Sequence, residues 1–378
     1  MIYLATFAAT ALLLFLGGRC AGVLRCVLVL LGLLLPCFLA GFRDPSIGTD
    51  VYSYAIWMWE DASSLDLAGF LQTYDSVAAL GWNVATWIVC GAGVPLGLYL
   101  FAIEAFCIAP VYFALRKLAP GGEWAGMLAW LLVFYAFSLN AMRQSVAIGL
   151  VLCSVVCIVQ RNPARFLLCV IGACLFHQTA VIAVVLYPLA RAVGWGRRAM
   201  FGKWQTVVLA VLILFAFGFI VAFGDRLVVL ASMLKDSYSY QVNHIGSGDI
   251  GFSYLYVTIC CLGIYLISRD DFGSSDTTEG EGKSLFDRMR VFKACSAIAC
   301  VGGLMWQLNY VADTLGRLGA YGMVLLCVMA ALLAANGRRS RGHLAVALSL
   351  FAVYFVAAVM VLGMEEVYPY ASAILGLG

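Results

Sequence analysis

Long apolar runs separated by short polar stretches recur from one end of this chain to the other. Most runs are close to the roughly 20 residues that a helix needs to cross a hydrocarbon layer of about 30 Å. The pattern predicts transmembrane helices, because only helices and closed barrels satisfy their backbone groups in lipid. The candidate spans are residues 2–18, 22–41, 94–115, 123–139, 141–160, 204–223, 253–268, 292–308, 318–336 and 344–362.

The composition agrees with this pattern. Hydrophobic residues make up 64% of the 378 positions and charged residues 11%, and the mean hydropathy is +0.97. A soluble globular domain has roughly 45–50% apolar and about 25% charged residues. We therefore expect an all-α, polytopic integral membrane protein with a single membrane domain over residues 1–378. The net charge is only +3, and the Lys and Arg residues lie in short clusters between the apolar runs. This distribution excludes a nucleic-acid-binding surface.

The basic clusters between the runs predict which loops face the cytoplasm, since Lys and Arg are enriched in cytoplasmic loops. All basic clusters fall on the cytoplasmic side of the membrane if two ambiguous apolar segments do not cross it. Residues 77–92 would form a re-entrant or interfacial helix, and residues 166–190 would enter and leave by the same face. About ten crossings then remain, with both termini facing outward.

Three polar stretches fall between predicted spans. On this topology, residues 43–76 form an external polar loop and residues 224–252 a second external loop. Residues 269–291 are rich in Gly, Ser, Asp and Glu, a composition typical of a flexible linker. This linker is expected on the cytoplasmic side.

Nothing in the sequence indicates a bound metal or other cofactor. The 14 cysteines lie almost entirely in apolar runs without CxxC spacing, which favours packing over metal or redox chemistry. No HExxH, GxSxG or P-loop pattern is present, so the corresponding hydrolases and transporters lose support. The acidic pairs Asp44/Asp50 and Glu365/Glu366 give only a weak signal for a metal-dependent transferase.

Three arginines stand apart from the topology-setting clusters and fall on the predicted outer face. Arg43 follows the second span, Arg143 lies inside a long apolar stretch, and Arg317 precedes a late span. A guanidinium group is always charged and pairs bidentately with phosphate oxygens. Together the three side chains would hold a diphosphate. The alternative for Arg143 is that it reaches the lipid headgroups or anchors a helix end.

Two residues are candidates for acid–base chemistry. Asp50 would deprotonate an acceptor hydroxyl, with aromatic rings such as Tyr54 as stacking surfaces for sugars. In the alternative interpretation, Asp50 caps a helix and the aromatic residues form an interfacial belt. His177 lies mid-run in an apolar segment. It is either a base, a phosphate ligand or a donor that hydrogen-bonds a neighbouring helix.

Several short motifs occur in a defined order. They are Arg43 with Gly48-Thr49-Asp50 and Tyr54, then Asn140-x-x-Arg143-Gln144, then Phe176-His177-x-x-Ala180, and finally Arg317-x-x-x-Tyr321 and Tyr368-Pro369-Tyr370. In order and spacing they resemble the EpsG family of bacterial exopolysaccharide polymerases, a branch of the Wzy-type polymerases. The resemblance extends from about the first predicted span to the last.

The resemblance implies a membrane glycosyltransferase acting on undecaprenyl-diphosphate-linked oligosaccharide repeat units. It would transfer the growing glycan from one lipid carrier to the non-reducing end of a unit on another, releasing undecaprenyl diphosphate. Asp50 or His177 would act as the base. The diphosphate-binding residues would be Arg43, Arg143 and Arg317. The substrate-binding residues would be Tyr54, Asn140, Gln144 and Tyr321.

The resemblance also implies a location and partners. The active site would face outward from the bacterial cytoplasmic membrane, and no metal would be required because guanidinium groups take its place. Besides membrane lipid, the flippase and chain-length regulator of the same pathway are candidate partners. Two alternatives stay open, an O-antigen-ligase-type transferase and a lipid-linked oligosaccharide flippase or other transporter. A flippase should place charges at several depths, whereas here they gather on one face.

Overall fold

The structure, a computed structural model, describes residues 1–74, 79–192, 252–272, 279–310 and 313–377. In the first part of the chain the α-helices are α1 (Ile2–Gly17), α2 (Gly22–Gly41), α3 (Ile56–Ser64), α4 (Leu67–Thr73), α5 (Leu80–Cys90), α6 (Leu96–Leu118), α7 (Glu123–Val133), α8 (Tyr135–Asn140), α9 (Met142–Val159), α10 (Pro163–Phe176) and α11 (Leu186–Ala192). The later helices are α12 (Phe252–Ser268), α13 (Glu279–Trp306), α14 (Asp313–Arg317), α15 (Ala320–Met323), α16 (Leu325–Ala335) and α17 (Arg341–Tyr354).

Within the described residues, β-structure is limited to one isolated bridge between Ser372 and Leu377. Six helical segments there are long and apolar enough to cross a membrane: Gly22–Gly41, Leu96–Leu118, Met142–Val159, Arg288–Asn309, Leu315–Ala335 and Arg341–Val361. Shorter apolar helices include α1, α5, α7 and α10. The prediction of an all-α membrane protein is confirmed, whereas the number of about ten crossings is not. The predicted span 204–223 lies outside the described residues.

The chain divides into two compact units, of which the first comprises Met1–Val181 and Cys327–Gly378. In this unit α1 packs on α2, α2 on α6, α6 on α9 and α9 on α10. Helices α2 and α6 approach closely, since a Cβ at Gly41 would lie 2.6 Å from the carbonyl oxygen of Gly97. Such small residues let helices associate in lipid, where burial away from water supplies no driving force.

The segment 43–76, predicted as an external loop, contains several short helices. A π-helical turn, Val51–Ala55, leads into α3, and α4 follows. The carboxylate of Asp66 accepts a hydrogen bond from the N–H of Gly69 at 2.8 Å, which caps the start of α4. The polar connection after α2 therefore has a fixed backbone on which side chains can be positioned.

The C-terminal segment after α17 returns to the end of α2. The N–H of Asp44 donates to the carbonyl of Ala371 at 2.8 Å, and the hydroxyl of Tyr370 donates to the carbonyl of Leu39 at 2.9 Å. Near the start of α1, the hydroxyl of Tyr3 donates to the carbonyl of Val367 at 2.7 Å. Segments from both ends of the sequence thus meet at one end of the first unit.

The two ambiguous segments differ in form. Helix α5, within 77–92, has 11 residues and a length of about 16 Å, too short to cross a bilayer. Within 166–190, α10 ends at Phe176, and the next residue, His177, has an extended backbone with φ −151° and ψ 116°. A 3₁₀ helix, Gln178–Val185, continues from there. The way both segments enter the membrane stays a prediction.

The second unit is Ile182–Leu326. Helix α12 packs on α13, and the ring of Tyr254 stacks on that of Trp306 with centroids 3.8 Å apart. An apolar cavity of about 340 Å³ lies among α11, α13 and α15. Within the predicted linker 269–291 the structure describes a 3₁₀ turn, Arg269–Phe272, and the start of α13 at Glu279. The predicted external loop 224–252 lies outside the described residues, apart from the first residue of α12.

Candidate functional site

A break between α8 and α9 creates the centre of the candidate site. Ala141 leaves helical geometry with φ −91° and ψ 60°, and α9 starts at the next residue. The carboxylate of Asp50 accepts a hydrogen bond from the first backbone N–H of α9, that of Met142, at 3.2 Å. A carboxylate at a helix N-terminus satisfies an otherwise unpaired donor and interacts favourably with the helix dipole. Asp50 therefore fixes the direction in which α9 leaves the break.

A glycine brings the polar turn before Asp50 against this break. Gly48 has φ +88°, and a Cβ at this position would lie 2.4 Å from the carbonyl oxygen of Leu139. Only glycine fits both constraints. As a result, the backbone N–H of Thr49 reaches the side-chain oxygen of Asn140 at 2.9 Å, and the Thr49 hydroxyl donates to the same oxygen.

Tyr54 connects Asp50 with Arg143. Its hydroxyl donates to the carboxylate of Asp50, and the guanidinium carbon of Arg143 lies 4.2 Å from the centroid of its ring. Burial, followed by the neighbouring Asp50 charge, raises the pKa of Tyr54 well above its usual value. The phenol therefore stays protonated and donates to Asp50 at any physiological pH, while its ring face orients the guanidinium.

The guanidinium of Arg143 is held by an aromatic ring and has no hydrogen-bond acceptor among the described residues. The side chain is half-buried. Within the part of the chain that the structure describes, Arg143 has the stacking contact with Tyr54 but no acceptor for its N–H groups. A stacked arginine loses little freedom when an anion binds its planar fork. The planar fork of Arg143 is therefore held in one orientation by the ring of Tyr54.

The C-terminal segment contributes a further carboxylate. The side-chain N–H of Asn140 donates to Glu365 Oε2 at 2.8 Å. Glu365 and Glu366 both have positive φ values, 66° and 51°, a conformation that non-glycine residues adopt at a cost of about 1 kcal/mol or more. The polar side chains around the break form one group, which we call the polar cluster: Thr49, Asp50, Tyr54, Asn140, Arg143 and Glu365.

Arg43 lies beneath the polar cluster and is only 5% exposed. One of its terminal nitrogens contacts the sulfur of Met142 at 3.6 Å, whereas Nε and the other terminal nitrogen are buried without a hydrogen-bond partner among the described residues. Burial lowers the pKa of Arg43, and nearby Tyr135 and Glu104 act in the opposite direction. The guanidinium is thus an enclosed charge with a carboxyl group nearby.

The carboxyl group of Glu104 is 1% exposed and lies in the middle of α6. The hydroxyl of Ser138, on α8, lies 3.0 and 3.1 Å from its two oxygens and 2.8 Å from the carbonyl oxygen of Tyr135, so its one proton is shared among these acceptors. Its electrostatic interaction with Arg43 takes place without an ion pair inside 4 Å. We refer to Arg43, Glu104 and Ser138 as the buried layer.

The remaining predicted residues lie elsewhere. Gln144 is buried on α9, one residue beyond Arg143. His177 is half-buried, with Nδ1 2.6 Å from the hydroxyl of Thr179. The residue before it, Phe176, lines a small cavity with Trp82, whose ring packs edge-to-face on Tyr54.

Arg317 and Tyr321 belong to the second unit. Arg317 ends α14, and Tyr321 is buried and lines the apolar cavity. Of the predicted residues, the structure therefore joins Asp50, Tyr54 and Arg143 by direct contacts. Asn140 is linked to them through Thr49, the neighbour of Asp50, and Arg43 is linked through Met142, the neighbour of Arg143.

Glu104, Thr49 and Glu365 were not among the predicted site residues. The sequence does contain a signal for Glu104, since a carboxyl group in the centre of an apolar run is costly and usually functional. Thr49 lies inside a motif that was recognised. Nothing local to Glu365 connects it with Asn140, 225 positions earlier, so this contact depends on the fold.

The arrangement combines an anion-binding cation with a carboxylate that can accept a proton. Within the described ranges, no group of three or more His, Cys, Asp and Glu side chains is placed to hold a metal ion. Acid–base chemistry and stabilisation of a developing negative charge are both available from the residues present.

One family model matches this chain. The family model of the EpsG family matches residues 26–372, which include every member of the polar cluster. No individually curated protein and no solved structure matches the chain. Because the family model covers nearly the whole sequence, this chain belongs to the EpsG family.

Proposed function

We propose that this protein, a member of a family of exopolysaccharide polymerases, polymerises oligosaccharide repeat units carried on undecaprenyl diphosphate. The observation that carries the proposal is the Arg143 guanidinium, stacked on Tyr54 with its N–H groups lacking a described acceptor. The Asp50 carboxylate is bound to the hydroxyl of the same tyrosine. Tyr54 therefore contacts both a cation that could stabilise the leaving group, Arg143, and a candidate base, Asp50.

In the proposed reaction, an acceptor hydroxyl at the non-reducing end of one repeat unit attacks the anomeric carbon of the glycan on another carrier. The new C–O bond forms as the bond between the anomeric carbon and the diphosphate oxygen breaks. The electron pair leaves with undecaprenyl diphosphate, and the acceptor proton goes to a protein base. Negative charge grows on the diphosphate, where a positioned guanidinium stabilises the transition state more than the ground state.

Arg143 is the direct diphosphate ligand in this scheme. Arg43 lies one layer deeper and contacts Met142, the residue next to Arg143. From its enclosed position it contributes a positive field, which is strong in a medium of low polarity. Arg317 belongs to the second unit, and its role as a diphosphate ligand stays a prediction.

Asp50 is the better candidate for the base. It already accepts hydrogen bonds from Tyr54 and from the N–H of Met142, so the polar cluster orients its carboxylate. His177 is the alternative, and the residue before it, Phe176, lines a small cavity with Trp82, whose ring packs on Tyr54. Asn140, Gln144 and Tyr54 are proposed to contact the sugars.

The apolar cavity of the second unit supports a prenyl-linked substrate. Its volume of about 340 Å³ is within the range of roughly 300–1,000 Å³ usual for small-molecule sites. Leu318 and Tyr321 line it, and Leu318 follows Arg317 directly in sequence. A carrier whose diphosphate binds Arg317 would have an apolar surface available for the first part of its tail.

The proposed orientation places the polar cluster on the outer side of the bacterial cytoplasmic membrane. The helices that end near the cluster carry basic residues at their other ends: Arg19 follows α1, and Arg341 starts α17. Basic residues favour the cytoplasmic side. The flippase and the chain-length regulator of the same pathway are proposed partners.

The test uses full-length protein in liposomes supplied with a lipid-diphosphate-linked repeat unit, with product length measured on gels and by mass spectrometry. Arg143→Ala should lower the polymerisation rate on the order of 10²- to 10³-fold, and Arg143→Lys should restore only part of it. Arg165→Ala is the matched control, since Arg165 is exposed near the start of α10, away from the cluster.

The outcomes separate the alternatives. Elongation at the wild-type rate by Arg143→Ala would refute the diphosphate role. Transport of the substrate across the bilayer without elongation would indicate a flippase. Transfer of glycan only to a non-diphosphate acceptor would indicate a ligase.

A further inference from the structure

A cavity with polar and charged walls lies at the end of the first unit opposite to the polar cluster. Three interhelical turns form it: the turn after α1, the turn before α7 and the turn before α17. Its volume is about 240 Å³. Helices α7 and α8 together lead from this cavity at Glu123 to the polar cluster at Asn140, so the two sites lie at opposite ends of the same helical segment.

The wall of this cavity carries charges of both signs. Arg19 and Arg341 line it and are exposed, and Glu123 lines it although its residue is only 7% exposed. Neither arginine lies within 4 Å of the Glu123 carboxylate. The guanidinium carbon of Arg19 lies 3.8 Å from the centroid of the Phe15 ring, which keeps this arginine on the wall.

Glu123 makes the cavity more than a basic surface. A carboxylate in the first turn of a helix is ordinarily solvated while it interacts with the helix dipole. Here the residue is buried, and it has an electrostatic interaction with Tyr112 but no hydrogen-bond donor among the residues that the structure describes. Because Glu123 lines the cavity, its carboxylate is available to a cationic or hydrogen-bond-donating group that enters there.

The lower wall of the cavity is apolar. Leu14, Phe15, Trp124 and Leu344 line it together with the charged residues, and the rings of Phe15 and Trp124 pack edge-to-face at 5.5 Å. The candidate span Arg341–Val361 begins at this cavity, which places the charged rim at the level where lipid headgroups lie. Basic pockets between transmembrane helices are typical binding sites for lipid headgroups.

We infer that this cavity binds a phospholipid whose headgroup carries both a phosphodiester and a primary ammonium group, as in phosphatidylethanolamine. The phosphate binds between Arg19 and Arg341, and the ammonium donates to Glu123. Acyl chains pass along Phe15 and Leu344. The site is separate from the polymerisation chemistry, so its failure would leave the proposed function untouched.

The experiment measures lipid binding to the full-length purified protein by native mass spectrometry. Phosphatidylethanolamine, phosphatidylglycerol and phosphatidylcholine with identical acyl chains are titrated separately. Phosphatidylethanolamine should bind on the order of 10-fold more tightly than the other two, because only its headgroup pairs with both charge types through hydrogen bonds. Glu123→Gln should remove this preference, and Arg341→Gln should weaken binding of all phospholipids that use the phosphate contact.

Arg338→Gln is the matched control, since Arg338 is exposed in the same turn but does not line the cavity. It should leave all three affinities unchanged. Arg19→Gln, a change at an exposed turn, repeats the phosphate test if the buried Glu123→Gln variant fails to fold. Equal affinity for the three lipids, or an unchanged preference in Glu123→Gln, would overturn the proposal.

Two further outcomes would also overturn it. Tighter binding of phosphatidylglycerol, strengthened by Glu123→Gln, would show a site for anionic lipid. Binding of soluble phosphoethanolamine to delipidated protein as tight as that of the lipid would show a soluble ligand instead.

Discussion

The polar cluster and the buried layer use arginine in opposite ways. Arg143 is half-buried and stacked on Tyr54, and its N–H groups have no acceptor among the described residues. Arg43 is 5% exposed and lies within electrostatic range of Glu104 and several tyrosine hydroxyls. The first environment suits a charge that must meet a ligand, and the second suits a charge that maintains a field inside the protein. We therefore propose that Arg143 binds the ligand and that Arg43 supports the site through its charge.

The largest effect that the comparison predicts is at Asp50 in the polar cluster. Asp50→Asn removes the proton acceptor but retains a side-chain oxygen for the N–H of Met142. Polymerisation should fall on the order of 10²-fold or more, while the free energy of unfolding should change by less than about 1 kcal/mol. Elongation assays and thermal unfolding of the same preparations measure the two quantities.

His177→Gln is the counterpart of this variant, since His177 is the alternative base. Its hydrogen bond with Thr179 is local, so its replacement should lower the rate less than Asp50→Asn does. A larger loss in His177→Gln, with Asp50→Asn near the wild-type rate, would transfer the role of the base to His177.

Half of the polar cluster could be predicted because three of its members interrupt an apolar run at the end of a span. Asp50, Asn140 and Arg143 all stand where hydrophobic patterning stops, and charge near lipid is costly without a purpose. The helical membrane fold follows from the same patterning. Pattern alone does not give the number of crossings, because several apolar helices are shorter than the bilayer is thick.

The burial of Arg43 could not be predicted in the same way. It depends on the C-terminal segment, whose Tyr370 and Ala371 hydrogen-bond to the end of α2 and the turn that follows, and the sequence between them contains no local signal for these contacts. Glu104 was predictable in principle. Its carboxyl group lies in the middle of α6, where a charge is costly without a partner or a function.

The next largest effect concerns stability and tests the buried layer. Arg43→Gln leaves the Glu104 carboxyl group without its nearby cation and should lower the free energy of unfolding by roughly 2–4 kcal/mol. Arg143→Ala should change it by less than about 0.5 kcal/mol. Thermal unfolding in one detergent compares the two variants directly. A stable Arg43→Gln protein beside an unstable Arg143→Ala protein would reverse the assignment of roles.

Glu104→Gln sharpens this test, because glutamine retains an oxygen for the Ser138 hydroxyl but removes the charge. Combined with Arg43→Gln it should cost less than the sum of the two single changes, since each single change leaves one group without its partner. Strict additivity would show that the two side chains do not depend on each other.

The smallest effect separates the two contacts of Tyr54. Tyr54→Phe keeps the ring beneath Arg143 but removes the hydroxyl from Asp50, so polymerisation should fall by up to about 10-fold. Tyr54→Leu also removes the stacking surface and should lose a further few-fold. Tyr52→Phe is the matched control, because Tyr52 lies in the same π-helical turn and is exposed. If Tyr54→Phe and Tyr54→Leu lose equal activity, the ring does not orient Arg143, and the guanidinium reaches its ligand from a conformation that the polar cluster does not fix.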